Sequence, residues 1–197
     1  MENIITELSQ HNIVCIVLGG SQDLTLPIFN GMKEKEKKIN ISIIDSKIDL
    51  GKDEHDFNSY SYIKHLMKDK KLKRLESIAY QSYFVPEYQI DLLKKHNQYT
   101  TRLGILRKNI HFIEPVLRDS DIVSFDMSAV RQADAPAYCY SNPNGLMAEE
   151  ACQLCLYAGY SDKIKAFGLF ELNPDFDKNN QSVGLAAQMM AFFGRIE

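Results

Sequence analysis

The amino-acid sequence predicts an α/β fold, a three-layer sandwich with helices on both faces of a mainly parallel sheet. Three observations predict it: apolar runs that do not alternate, helical patterns placed among them, and a Gly, Asp or Glu at the end of each run. The runs are Ile13 to Leu18, Ile39 to Ile44, Ile122 to Phe125 and Ala166 to Phe170. Strands that read as continuous apolar stretches are covered on both faces, the signature of a parallel sheet. The helical patterns are Tyr88 to His96, Ala148 to Ala158 and Val183 to Phe193. Strands alternating with helices imply right-handed βαβ units.

The chain has 197 residues, and its composition is that of a globular protein, 45% hydrophobic and 25% charged. A chain of this size buries roughly 70% of its extended surface, so a single domain over residues 1–197 is expected. Asn142-Pro143-Asn144-Gly145 and Asn173-Pro174-Asp175 read as turns. The basic run Lys68 to Arg74 reads as a solvated helix face, and Lys33 to Lys38 as a solvated turn or helix end.

With 26 acidic against 23 basic residues the net charge is -3, which gives no field for nucleic acid or an anionic membrane. Neither partner is expected. Cys15, Cys139, Cys152 and Cys155 lie in hydrophobic surroundings, and the first residues lack the regions of a signal peptide. A cytoplasmic protein with reduced thiols is the expectation. Cys152 and Cys155 form a C-x-x-C inside a helical stretch without a second metal-spaced pair, so they read as buried small hydrophobes.

In an open parallel sheet, ligands sit beyond the carboxyl ends of the strands. Those ends carry Gly19 to Asp23, Asp45 to Asp49, Asp126 to Ser128, and Glu171. A single acid there often only caps a helix. Asp45, Asp49, Asp126 and Glu171 in one cleft would repel and raise one another's pKa values unless a cation neutralised them. Either a metal or a lysine is required. LGGSQD lacks the spacing of a dinucleotide or Walker loop, so phosphate binding is not favoured.

These four landmarks, VLGGSQDLTLPIF, IIDSKIDLG, DIVSFDMSAV and FGLFELNPDFD, resemble in order those of the ureohydrolases, the family of arginases, agmatinases and formiminoglutamases. Stretches such as RDSDIVSFDMSAVRQADAP look most like the formiminoglutamase side. The resemblance implies an arginase-like sheet and two manganese ions bridged by a hydroxide that attacks a guanidinium or amidine carbon. It implies Asp45, Asp49 and Asp126 as metal ligands, and Glu171 as the catalytic-site acid facing the cationic end of a substrate. Three positions depart from the family pattern: Gln22 and Lys47 stand where ligand histidines are expected, and Ser128 stands for a ligand aspartate.

Gln22 remains usable as a weak neutral ligand of a hard cation. Lys47 is expected to place its ammonium in the vacated position, against Asp45 and Asp126. At most one Mn ion is then expected, and none is an open alternative. Two functions follow from the resemblance. The first is a weakly active or inactive family member that binds a small cationic amidine or guanidino ligand or a protein partner; the second is a one-metal C–N hydrolase.

Arg131 is the best-placed of Arg102, Arg107, Arg118 and Arg131 for binding a substrate carboxylate, although a structural salt bridge is the simpler role for each. His55, His65, His96 and His111 are the candidate replacement ligands or proton shuttles, with His55 nearest to the landmarks. The family normally has further strands before the Gly-Gly landmark. Either this chain is a fragment or partial family domain, or another chain supplies those strands, or they are not needed; an uncovered sheet edge or face would be an association site, and a homo-oligomer is the expected assembly.

Overall fold

Among the described residues six strands form one parallel sheet, because the apolar runs can bury both faces only between two helical layers. The strands of the computed structural model are β1 (Cys15–Leu18), β2 (Ile39–Ile44), β3 (Leu72–Tyr80), β4 (Tyr99–Arg102), β5 (Ile122–Asp126) and β6 (Ala166–Phe170). Their order across the sheet is β1-β6-β5-β2-β3-β4, and every pairing is parallel. The structure describes residues 1–36, 38–51 and 57–195.

The helices are α1 (Glu2–Gln10), α2 (Thr25–Met32), α3 (Tyr62–Lys68), α4 (Glu87–Lys95), α5 (Leu103–Leu106), α6 (Glu114–Arg118), α7 (Ala148–Gly159) and α8 (Gln181–Phe193). One core joins Val123, Phe125, Phe167 and Leu169 to Leu154, Met189 and Phe193 of α7 and α8. The other joins Ile41, Ile43, Ile122 and Phe170 to residues of α1 to α4, including Ile5, Phe29, Tyr62 and Leu93. Neighbouring residues of one strand enter opposite cores, which is the two-residue period of a pleated strand. Every residue of β2, β5 and β6 is buried. The three-layer parallel architecture is therefore as the sequence predicts.

Two strands escape the sequence reading. The Lys68 to Arg74 run is not one helix face: α3 ends at Lys68, and β3 starts at Leu72. Asp69 makes the break, its carboxylate accepting from the Lys71 N–H at 2.8 Å. An aspartate that bonds the backbone two residues on favours a turn over helix continuation. The short edge strand β4 carries Tyr99, two threonines and Arg102, with no apolar run to mark it.

Among the described residues no helix is long and apolar enough to cross a membrane.

Candidate functional site

The connectivity of the sheet brings the acids together. Strands β2, β5 and β6 are neighbours or next neighbours, and their carboxyl ends run directly into Asp45, Asp126 and Glu171. Past the end of β1, Gly19 and Gly20 have φ of +89° and +79°, a region open to glycine at no steric cost. That turn lets the Gly20 carbonyl accept the Glu171 N–H at 2.9 Å. Glu171 itself has φ +60°, a strained conformation for a residue with a side chain. Its Oε1 accepts the Gln22 backbone N–H at 3.1 Å, which fixes the carboxylate at the rim.

Gly20→Ala is expected to cost about 1–2 kcal/mol through left-handed backbone strain and to loosen Glu171. Urea denaturation of the variant measures the first effect.

Asp45, Asp49 and Asp126 are 1%, 6% and 6% exposed. A cavity lined by these acids, Lys47, Ser59, Tyr60, Ser128, Tyr138 and Glu171 has a volume of only about 10 Å³. That is room for roughly one water molecule, so a guanidinium-sized group enters only if Lys47 or the tyrosines move.

Burial raises the carboxyl pKa of Asp49 well above its ordinary value, and the charges of Asp45 and Asp126 add to the rise. Asp126 is likewise raised well above the usual range, by burial first and then by Asp45. Asp45 is raised by burial, against the opposing effects of a hydrogen bond from Asp49, the Lys47 backbone N–H and the Lys47 charge. Of the two, Asp49 is raised the more, and the contact between them acts to raise Asp49 and to lower Asp45. Glu171 is also raised, chiefly by burial. Crowded carboxylates that lack a contacting cation neutralise themselves by taking up protons.

The pairing expected of Lys47 requires correction. Among the described residues no ion pair joins its ammonium to Asp45, Asp49, Asp126 or Glu171. Nζ lies 5.2 Å from the centroid of the Tyr60 ring instead. A half-buried cation on an aromatic face keeps part of its hydration, whereas full burial among the acids would forfeit it. What contacts Asp45 is the Lys47 backbone N–H, 3.1 Å from Oδ1. The ammonium still lowers the pKa values of Asp45, Asp49 and Glu171 through its field.

Ser128 donates from Oγ to Asp45 Oδ1 at 3.3 Å, and its N–H donates to Asp126 Oδ1 at 2.6 Å. Gln22 is fully buried, yet neither polar atom of its side-chain amide has a partner.

These donors do not fit a binuclear manganese centre. Among the described residues no histidine lines the cavity, a cation stands in the wall, and Ser128 presents a neutral hydroxyl already engaged with Asp45.

The other candidates among the described residues lie apart from the cavity. Arg131 grips Asp134 through two hydrogen bonds of 2.8 and 3.1 Å and does not line it. Arg131→Ala is accordingly expected to leave the affinity for guanidinium chloride unchanged in a calorimetric titration. Arg107 pairs with Glu150 at 3.7 Å and Arg118 with Glu114 at 2.5 Å. His65 packs edge-on against Phe57, His111 bonds the Tyr157 hydroxyl at 2.6 Å, and His96 lines a separate surface cleft. His55 lies outside the described residues.

Sequence reasoning missed Ser59, Tyr60 and Tyr138, which sit in loops without any periodic or spacing signal. Tyr138 lies two residues past the stretch RDSDIVSFDMSAVRQADAP, the one feature that could have drawn attention to it.

Known structures share this architecture. A Mn²⁺-bound formiminoglutamase of Trypanosoma cruzi superposes with a TM-score of 0.90 at 21% identity, over 98% of this chain and 68% of that one. Formimidoylglutamase of Bacillus subtilis gives 0.88 at 18% identity, over 98% and 64%. Arginase of Bacillus cereus gives 0.85 at 16% identity, over 98% and 75%. The chain thus spans about two thirds of the length of the formiminoglutamases. No curated protein sequence matches it significantly. A sequence model of the arginase family does match, over residues 1–193, and the chain belongs to that family.

Proposed function

We propose that this is an arginase-family protein with an eroded binuclear metal site, weakly active or inactive as a hydrolase, whose acidic cavity serves to bind a small cationic amidine or guanidino ligand or a partner's cationic group. The observation that carries the reading is the composition of the cavity wall. Asp45, Asp49, Asp126 and Glu171 remain, but Lys47 and Ser128 occupy the places where the resemblance requires metal ligands. A cation arriving at the cavity would meet carboxyl groups that ionise by releasing their protons to solvent, and would displace the ammonium of Lys47 from its place beside Tyr60. A reducing cytoplasm belongs to the same reading, since all four cysteines are unpaired.

A second reading rests on Gln22. A fully buried amide with both polar atoms unpartnered is costly, and a single hard cation shared with Asp45, Asp49 and Asp126 would relieve it. That reading makes the protein a one-metal hydrolase of linear amidine or guanidino compounds.

A screen of such compounds for ammonia, urea or formamide release, with Mn²⁺ supplied, separates the two. The favoured reading expects calorimetric binding of guanidinium or amidine cations with little or no turnover. Rapid turnover that depends on Mn²⁺ and is lost in Asp126→Asn would overturn it.

A further inference from the structure

The groups that close the acidic cavity differ in how firmly they are held. Lys47 is pinned by its backbone, whose N–H donates to Asp45 Oδ1 at 3.1 Å, but its four-carbon stem rotates through several rotamers. Its ammonium lies over the Tyr60 ring and, among the described residues, makes no ion pair with any acid of the wall. Tyr60 is fixed from two sides. The Asn58 carboxamide accepts the Tyr60 N–H at 2.9 Å and the Asn58 carbonyl accepts the Ser61 N–H at 3.0 Å, a turn that sets the backbone. The Tyr138 hydroxyl hydrogen-bonds Tyr60 from the loop after β5.

A cavity of about 10 Å³ admits no organic cation until one of these groups moves. The lysine is the one built to move. Its departure vacates an aromatic face that already holds a cation, with Nζ 5.2 Å from the ring centroid.

We propose that Lys47 is a tethered competitor for the cavity's ligand, and that Tyr60 selects the ligand that displaces it: a planar, delocalised guanidinium or amidinium cation, which stacks on the ring face as the ammonium leaves. The inference rests on the cation-binding reading above and adds to it the ligand's seat and the group that contests it. Chemistry favours the planar cation. Its face packs on the ring while its edge keeps N–H donors for Asp45, Asp49, Asp126 and Glu171 in the same wall. A primary ammonium is a compact, strongly hydrated point charge. Such a ligand would only exchange like for like, against a group that its tether keeps at high effective concentration.

Calorimetric titration of the full chain with guanidinium chloride and with methylammonium chloride tests it, in variants that separate occupancy from charge. Lys47→Met removes the ammonium and keeps a flexible stem, and is expected to bind guanidinium about tenfold more tightly than the parent. Lys47→Arg keeps the charge but tethers a better stacking group, so it is expected to bind guanidinium several-fold more weakly than the parent. A lysine that acted through its charge alone would leave the arginine variant equal to the parent. Tyr60→Leu is expected to lose the preference for guanidinium over methylammonium, and Tyr60→Phe to keep it. Lys47→Met or Lys47→Arg binding guanidinium as the parent does overturns the proposal and leaves the cation-binding reading standing, as does a Tyr60→Leu protein with the parent's preference. If neither the parent nor Lys47→Met binds either cation, the cation-binding reading falls and the proposal falls with it.

Discussion

Replacing Gln22, Lys47 and Ser128 together, as Gln22→His, Lys47→His and Ser128→Asp, is expected to raise the number of Mn²⁺ ions retained after dialysis, toward two per chain. The three acids already stand in one cavity, so the change supplies imidazole and carboxylate donors at the strand ends where donors are wanting. It also removes a positive charge that opposes any dication. At 4 Å and an effective dielectric near 20, one unit of charge repels another by about 4 kcal/mol; Lys47→His alone is therefore expected to give the largest single gain. Inductively coupled plasma analysis of dialysed protein reads the stoichiometry. If the triple variant binds no more metal than the parent, these positions do not correspond to metal-ligand positions.

The second large effect concerns stability. Burial holds the carboxyl groups of Asp49 and Asp126 well above their ordinary pKa values. Groups raised on folding bind more protons in the native state than in the unfolded one. Their favourable contribution is complete below the unfolded carboxyl pKa and is lost as pH rises through the folded values. Metal-free protein should therefore lose stability as pH climbs above about 4.

Asp49→Asn is expected to be more stable than the parent at pH 7.5. Each unit of upward shift removed is worth about 1.4 kcal/mol, and the amide keeps a donor for Asp45. Urea midpoints measured from pH 5 to pH 8 should converge toward acid and separate toward neutral. An Asp49→Asn protein less stable than the parent at pH 7.5, with the same pH slope, would contradict this account of the cluster.

The sequence reveals most of the sheet and the acid positions for the same reason. Strands such as Ile39–Ile44 are apolar throughout because both their faces are covered, and that coverage also forces ligand-bearing groups to the strand ends. Where a strand departs from full coverage the signal fails. β3 opens on Leu-Lys-Arg after a lysine-rich turn and buries Glu76, satisfied by the Thr101 hydroxyl at 2.8 Å.

The direction of a long side chain is not written in local sequence either. Lys47 has the expected place in the chain, but tertiary contact with Tyr60, thirteen positions on, decides where its ammonium goes. Tyr138 reaches the same cavity from a distant loop. The acids were legible, whereas the cations and aromatics closing over them were not.

The most direct measurement is the number and position of Mn²⁺ ions in the unaltered protein, from anomalous diffraction of crystals grown with excess Mn²⁺. The account predicts that no second ion is bridged to a first between Asp45 and Asp126, with Lys47 still lining the cavity. Two bridged peaks beside those carboxylates, with the lysine turned out to solvent, would contradict it.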